Sequence, residues 1–201
     1  DIYLMEYIVK KRNTAQKIQK IIYTFIKFFP DNSVRFLLNL FRHNAFSIGY
    51  AVRWACYKKL SKYIGENVVF EPGSYIYSPK FLSIGNNVVI HPATYINCGK
   101  VEIIIGDNVA IATGCILVTN NHNFSKYLKS TGLRVKGNTY RPIIIQKNAW
   151  IGAGCIILGG ALIGAGAVVG AGSLVNKEIS PHCIYGGVPA KKIKEIIIEY
   201  I

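Results

Sequence analysis

His122 is the residue around which chemistry is most readily built. It closes the polar run Thr119-Asn120-Asn121-His122, which opens a stretch from Thr119 to Pro142 that lacks the hydrophobic period on either side of it. An imidazole titrates near neutral pH, so a histidine in such a loop can take the proton of an attacking hydroxyl or amine. General-base catalysis of this kind is worth about 10²- to 10⁴-fold in rate. No serine or cysteine adjoins His122 as a nucleophile, so direct transfer is expected rather than a covalent intermediate. Trp150 is the second candidate, because it is the largest side chain standing just before any of the repeating aliphatic positions. A large ring there can face a ligand instead of the core. His91 and His182 show no comparable context. The five cysteines (Cys56, Cys98, Cys115, Cys155, Cys183) are odd in number, lack CxxC spacing and sit mostly among apolar or small residues. They read as reduced core residues of a cytoplasmic protein.

The elements that must position these residues divide the chain in two. Its 201 residues are 51% hydrophobic and carry a formal charge of +14. Up to Lys62 there are 12 Lys/Arg against 3 Asp/Glu, and after it 12 against 7, so the excess is concentrated at the start. Such a balance favours an anionic partner. Segment 1–62 reads as two or three amphipathic helices. The first runs from about Thr14 to Phe29, and Pro30-Asp31-Asn32-Ser33 then supplies a break and a capping residue. Val34, Leu37, Leu38 and Phe41 form one face of a second, and a weaker third runs from about Ser47 to Lys62. The stretch Ile18 to Phe29 is too short, and too interrupted by Lys20 and Lys27, to span a bilayer. Residues 63–188 form a second unit. The helices either cover its open end or dock on an anionic membrane surface.

In that second unit the period is six. Ile145, Ile151, Ile157, Ile163, Val169 and Val175 keep phase, and a small residue stands four positions later at Ala149, Cys155, Ala161, Ala167 and Ser173. Earlier sets of three obey the same rule: Ile64, Phe70, Ile76; Ile84, Ile90, Ile96; Ile105, Ile111, Leu117. Neither a helix nor a simple alternating strand gives this spacing. It predicts a prism of three short parallel strands per coil, with aliphatic side chains stacked along the axis and small residues at the corners. The first three sets start 20 and 21 residues apart, a coil of 18 plus a short insertion, and the one long failure of phase lies between Leu117 and Ile145, so 119–142 is an excursion loop.

The repeated Ile-Gly-x-x-Ala/Val-x, Thr119-Asn120-Asn121-His122, Asn148-Ala149-Trp150-Ile151-Gly152 and Gly186-Gly187-Val188-Pro189-Ala190-Lys191-Lys192-Ile193-Lys194 together resemble the hexapeptide-repeat acyltransferases, in particular the sugar and xenobiotic O-acetyltransferase branch. The resemblance covers about 65% of the chain, Ile64 to Lys194. It implies a left-handed parallel β-helix, with the N-terminal helices before it and a short C-terminal helix over 189–201, begun by Pro189. It further implies an acetyl-CoA-dependent enzyme, a homotrimer with active sites between subunits, and a sugar or polysaccharide precursor as acceptor. His122 then matches the general base and Asn97 a position that contacts the acceptor, while Trp150 can face either acceptor or cofactor. A main-chain N–H near Ala153 would hold the oxyanion, and Ala171, Asn176, Lys177, Lys191 and Lys194 match cofactor positions. Relatives often carry arginine at the last two, and lysine keeps the charge but loses the bidentate fork.

Three alternatives stay open: N-acetylation of an amino sugar, inactivation of an antibiotic, and a non-catalytic solenoid acting as an interaction module. A zinc-dependent carbonic anhydrase on this scaffold would need two histidines close together in the loop. None lies within five residues of His122, so no metal is expected. Neither is a nucleic-acid partner. The expected location is the cytoplasm, at the inner face of the membrane if the basic helices dock there.

Overall fold

The computed structural model describes residues 18–122 and 138–197, with His122 and Asn138 as backbone. Residues 18–26 are helical (α1), followed by α2 (Asp31–Leu40) and α3 (Ser47–Leu60). The break predicted between the first two is present, but α2 has no side-chain cap. Pro30 occupies the N-cap position, and Asp31 in the first turn offers its charge to the helix dipole instead.

Five complete coils come next. Their strands are β1 (Tyr63–Ile64), β2 (Val69–Phe70) and β3 (Tyr75–Tyr77); β4 (Leu82–Ile84), β5 (Val89–Ile90) and β6 (Tyr95–Asn97); β7 (Ile103–Ile105), β8 (Ala110–Ile111) and β9 (Ile116–Val118); β12 (Ile143–Ile145), β13 (Trp150–Ile151) and β14 (Ile156–Leu158); β15 (Leu162–Ile163), β16 (Val168–Val169) and β17 (Leu174–Val175). Equivalent strands of successive coils pair in parallel and make three faces: β1-β4-β7-β12-β15, β2-β5-β8-β13-β16 and β3-β6-β9-β14-β17. The register superimposes the repeat residues, so Ile84 lies on Ile105, Ile105 on Ile145 and Ile145 on Ile163. All four are at most 1% exposed, as are the small partners Ala149, Cys155, Ala167 and Ser173. Strands of two or three residues have no stability alone. Each fully buried aliphatic side chain is worth about 1.5–3 kcal/mol, and only stacking buries it.

The corners explain why the period is kept. Between the first and second faces, Asn67, Asn87, Asn108 and Asn148 each take a left-handed φ of 57–61°. Asparagine tolerates that conformation better than other side chains. Their carboxamides form a ladder, Asn67 Nδ2 donating to Asn87 Oδ1 at 2.7 Å, Asn87 to Asn108 and Asn108 to Asn148 at 3.0 Å. Every extra residue, by contrast, is placed at the corner between the third and first faces. There the chain accommodates a 3-10 turn (Pro79–Phe81), the link from Cys98 to Glu102, and the whole of 119–142. The excursion is the largest of a series at one corner.

Helix α3 covers the first coil, one of the two roles expected for the basic segment. Tyr57 packs on Phe70 with ring centroids 4.6 Å apart. The buried Arg53 donates through Nε to the carbonyl of Phe70 (2.8 Å) and through Nη1 to those of Phe41 (2.9 Å) and Asn44 (2.6 Å). No described helix is long and apolar enough to cross a membrane.

At the other end the expectation of a C-terminal helix is corrected. Residues Lys191–Glu195 form a strand, β19, antiparallel to β18 (Cys183–Gly186), which itself continues the second face in parallel beyond β16. After β18 the second face ends in an open edge, and β19 occupies it. Ile193 settles over Gly186, where an added Cβ would come within 3.0 Å of its Cδ1, so pairing on β18 takes the place of a helix.

Candidate active site

The excursion is fastened where it leaves the solenoid. Thr119 is buried; its N–H donates to the carbonyl of Asn97 (3.1 Å) and its hydroxyl to that of Cys98 (2.7 Å). On the return, Arg141 N–H donates to the carbonyl of Thr119 (3.0 Å). Two glycines make room. A Cβ on Gly159 would lie 2.5 Å from the Thr119 carbonyl oxygen, and one on Gly99, whose φ is +56°, 2.9 Å from the Tyr140 ring. The chain leaves not as a plain loop but as an antiparallel ribbon, β10 (Asn120–His122) against β11 (Asn138–Tyr140), with Asn121 opposite Thr139 and His122 opposite Asn138. Residues 123–137 lie outside the described residues. His122 thus stands on the third rung of a ribbon rooted in the core.

Beside that root is a cleft of about 310 Å³ lined by Thr119, Asn121, Thr139, Arg141, Leu158, Gly159 and Asn176. Asn176 therefore shares a wall with the ribbon that carries His122, and Lys177 follows it as an exposed residue. Asn97 lies directly behind Thr119. Its Oδ1 accepts from the Gly99 N–H at 2.9 Å, the role of a corner asparagine, while its NH₂ group has no hydrogen-bond partner among the described residues. Arg141 adds positive charge to the rim.

A second group collects at the corner between the second and third faces. The same corner position is held in successive coils by Pro72, Pro92, Thr113, Ala153 and Ala171. The stacking is direct: Gly114 N–H donates to the Pro92 carbonyl (3.0 Å), Gly154 to Thr113 (2.9 Å) and Gly172 to Ala153 (2.8 Å). Two coils use proline, which has no N–H, so the corner does not need that donor to fold. In the other three it is present, and among the described residues the N–H groups of Thr113, Ala153 and Ala171 meet no backbone acceptor. Ala153 and Ala171 are exposed, and a Cβ on Gly114, Gly154 or Gly172 would meet nothing within 4 Å. The result is an open edge with a column of unused donors. Trp150 projects from the second face nearby, 56% exposed, between Ala110 and Val168 in the adjoining coils. Lys191 and Lys194 are exposed on β19, opposite Gly186 and Ile184.

Within one chain the two groups do not meet. Asn97, the His122 ribbon, Asn176 and Lys177 lie at one end of the third-face strands, and Ala153 and Ala171 at the other. The strand between them spans roughly 10 Å. Arg141, and the parts played by Thr119 as anchor and Asn121 as cleft wall, carry no periodic signal in the sequence. The signal that marks the column of free donors is the in-phase succession of Pro72 and Pro92, then Thr113, Ala153 and Ala171, at one corner. Among the described residues no group of three or more His, Cys, Asp or Glu could hold a metal ion.

An open row of amide donors, lysines along one edge and no carboxylate on the cleft wall suit a ligand with an extended amide-bearing arm and phosphates. Comparison with known proteins agrees. A model of the bacterial transferase hexapeptide (six repeats) matches residues 142–177. Galactoside O-acetyltransferase of Escherichia coli is 35% identical over 140 residues, 69% of this chain and 66% of that enzyme, so the chain spans just under two thirds of its relative. Among solved structures, a maltose O-acetyltransferase from Clostridium difficile is 28% identical with a TM-score of 0.64, covering 83% of this chain and 86% of its own. AntD, an N-acyltransferase from Bacillus cereus solved with dTDP and 3-hydroxybutyryl-CoA, is 28% identical with a TM-score of 0.59, covering 70% and 86%. With its in-phase repeat, its three-faced solenoid and these matches, the chain belongs to the hexapeptide-repeat acyltransferase family, whose fold is the left-handed parallel β-helix.

Proposed function

We propose that the protein is an acetyl-CoA-dependent O-acetyltransferase acting on a hydroxyl of a sugar or glycan precursor, with His122 as general base. The observation that carries this reading is the placement of His122. It stands on a ribbon rooted between Asn97 and Thr119, beside a cleft that also reaches Asn176, at the one corner where the solenoid admits extra chain.

Acetyl-CoA supplies an activated thioester. The imidazole of His122 takes the acceptor's hydroxyl proton as the oxygen attacks the thioester carbonyl, and the free NH₂ of Asn97 holds that oxygen in place. The negative charge that develops on the carbonyl oxygen is met by the unused N–H of Ala153. When the C–S bond breaks, the thiolate leaves and the proton passes from His122 to it. Ala171 adds a donor to the pantetheine arm, Asn176 and Trp150 bound it, and Lys177, Lys191 and Lys194 face the phosphates.

The two halves of this site lie at opposite ends of the third-face strands. A homotrimer that sets one end against a neighbour's other end joins them, and this supports the trimeric assembly. Acyl transfer to an amine is the second reading, favoured by the likeness to AntD, an N-acyltransferase. A thermal-shift titration followed by an acceptor screen tests both. Acetyl-CoA is expected to raise the melting temperature, and neutral sugars to release free thiol. Release only with amino sugars would favour the second reading, and no shift at all would favour a non-catalytic solenoid.

A further inference from the structure

The N-terminal helices carry a surface that capping does not use. The inner side of α1 is fixed by the core, with Ile26 and Gln19 buried and Tyr23 set edge-on to Trp54 at 6.0 Å. That fixes the outer side as well. Ile21 and Phe25 lie along it and Phe28 follows in the closing turn, at i, i+4 and i+7, and the two phenylalanines are 65% and 79% exposed. Beside this stripe runs a second of Lys20, Thr24 and Lys27 with the same spacing, all exposed. The neighbouring helix adds Phe36 and Leu40, one turn apart, and Phe46 stands exposed just before α3. From residue 18 to 62 the only acidic residue is Asp31, against eight Lys and Arg.

Scattered exposed apolar residues are ordinary, but three in register along one helix and the turn that ends it, with more on the next helix, are not. An apolar stripe lined by lysines matches the interface of an anionic bilayer, where rings enter the acyl boundary and ammonium groups stay among the phosphates. We propose that the outer face of α1 and α2 docks this protein on an anionic lipid surface. The proposal is independent of the acyl-transfer reading, because none of these residues belongs to the candidate site.

Co-sedimentation of the full-length protein with large vesicles tests it, comparing phosphatidylcholine alone with phosphatidylcholine containing phosphatidylglycerol. Binding is expected only to the anionic vesicles, weakening as salt is raised. The triple variant Ile21→Ser/Phe25→Ser/Phe28→Ser is expected to lower the partition coefficient about a hundredfold, and Lys20→Glu/Lys27→Glu about tenfold, with thermal shift by acetyl-CoA unchanged in both. Failure of the wild type to sediment with anionic vesicles would overturn the proposal. So would equal sedimentation of the triple variant, or its dissociation into smaller species in analytical ultracentrifugation, which would make the stripe a contact between copies.

Discussion

Replacing Ala153 by proline removes a single hydrogen-bond donor at a position where the fold already accepts proline twice. Pro72 and Pro92 occupy the same corner in the first two coils, the Ala153 N–H meets no backbone acceptor, and the residue is exposed. The substitution should therefore cost no native hydrogen bond. By restricting the unfolded chain it should even add about 0.4–1 kcal/mol of stability. If that N–H is the oxyanion donor, its loss should lower kcat about 10²- to 10³-fold, the range for deleting one such donor. Thermal melting together with steady-state release of free thiol from acetyl-CoA separates the two effects. A protein that melts at or above the wild-type temperature yet turns over normally would refute the assignment. Ala171→Pro is the control, expected to raise KM for acetyl-CoA with little change in kcat.

Other perturbations reach different parts of the molecule. Lys191→Ala/Lys194→Ala should raise KM for acetyl-CoA several-fold and flatten its salt dependence, while arginine at both positions should lower it; unchanged KM in both variants would remove these lysines from the cofactor site. Asn108→Ala breaks the ladder on both sides and places alanine at a φ of 57°, so urea denaturation should show a loss of about 2–3 kcal/mol, with Asn108→Gly losing less. Burial pushes the thiols of Cys56 and Cys98 up from 9.0 to about 12. In the unfolded chain they ionise near pH 9 and in the folded chain they do not, so stability should be level below that pH and fall between about 9 and 12; a flat profile there would contradict their burial.

The solenoid was legible because its packing rule repeats. A large inward aliphatic with a small residue four later can satisfy nothing but a stacked prism, and Ile145 through Val175 state it without a gap. The C-terminal strand was not legible, because what makes Lys191–Glu195 extended is the open edge left by β18, a tertiary circumstance. The ribbon under His122 escaped for a similar reason. Asn120-Asn121-His122 and Asn138-Thr139-Tyr140 have little strand character, and pairing is imposed by the anchors at Thr119, Gly99 and Arg141. Exposed aromatic residues on α1 showed in the sequence only as part of an amphipathic run. Deciding which face they occupy needed the position of Trp54.

The central claim is that His122 supplies the base. The most direct measurement is kcat for His122→Ala, made on protein of native size whose melting temperature still rises with acetyl-CoA. A loss of about 10²- to 10⁴-fold in kcat with acetyl-CoA affinity retained is predicted. Turnover near the wild-type rate would contradict it.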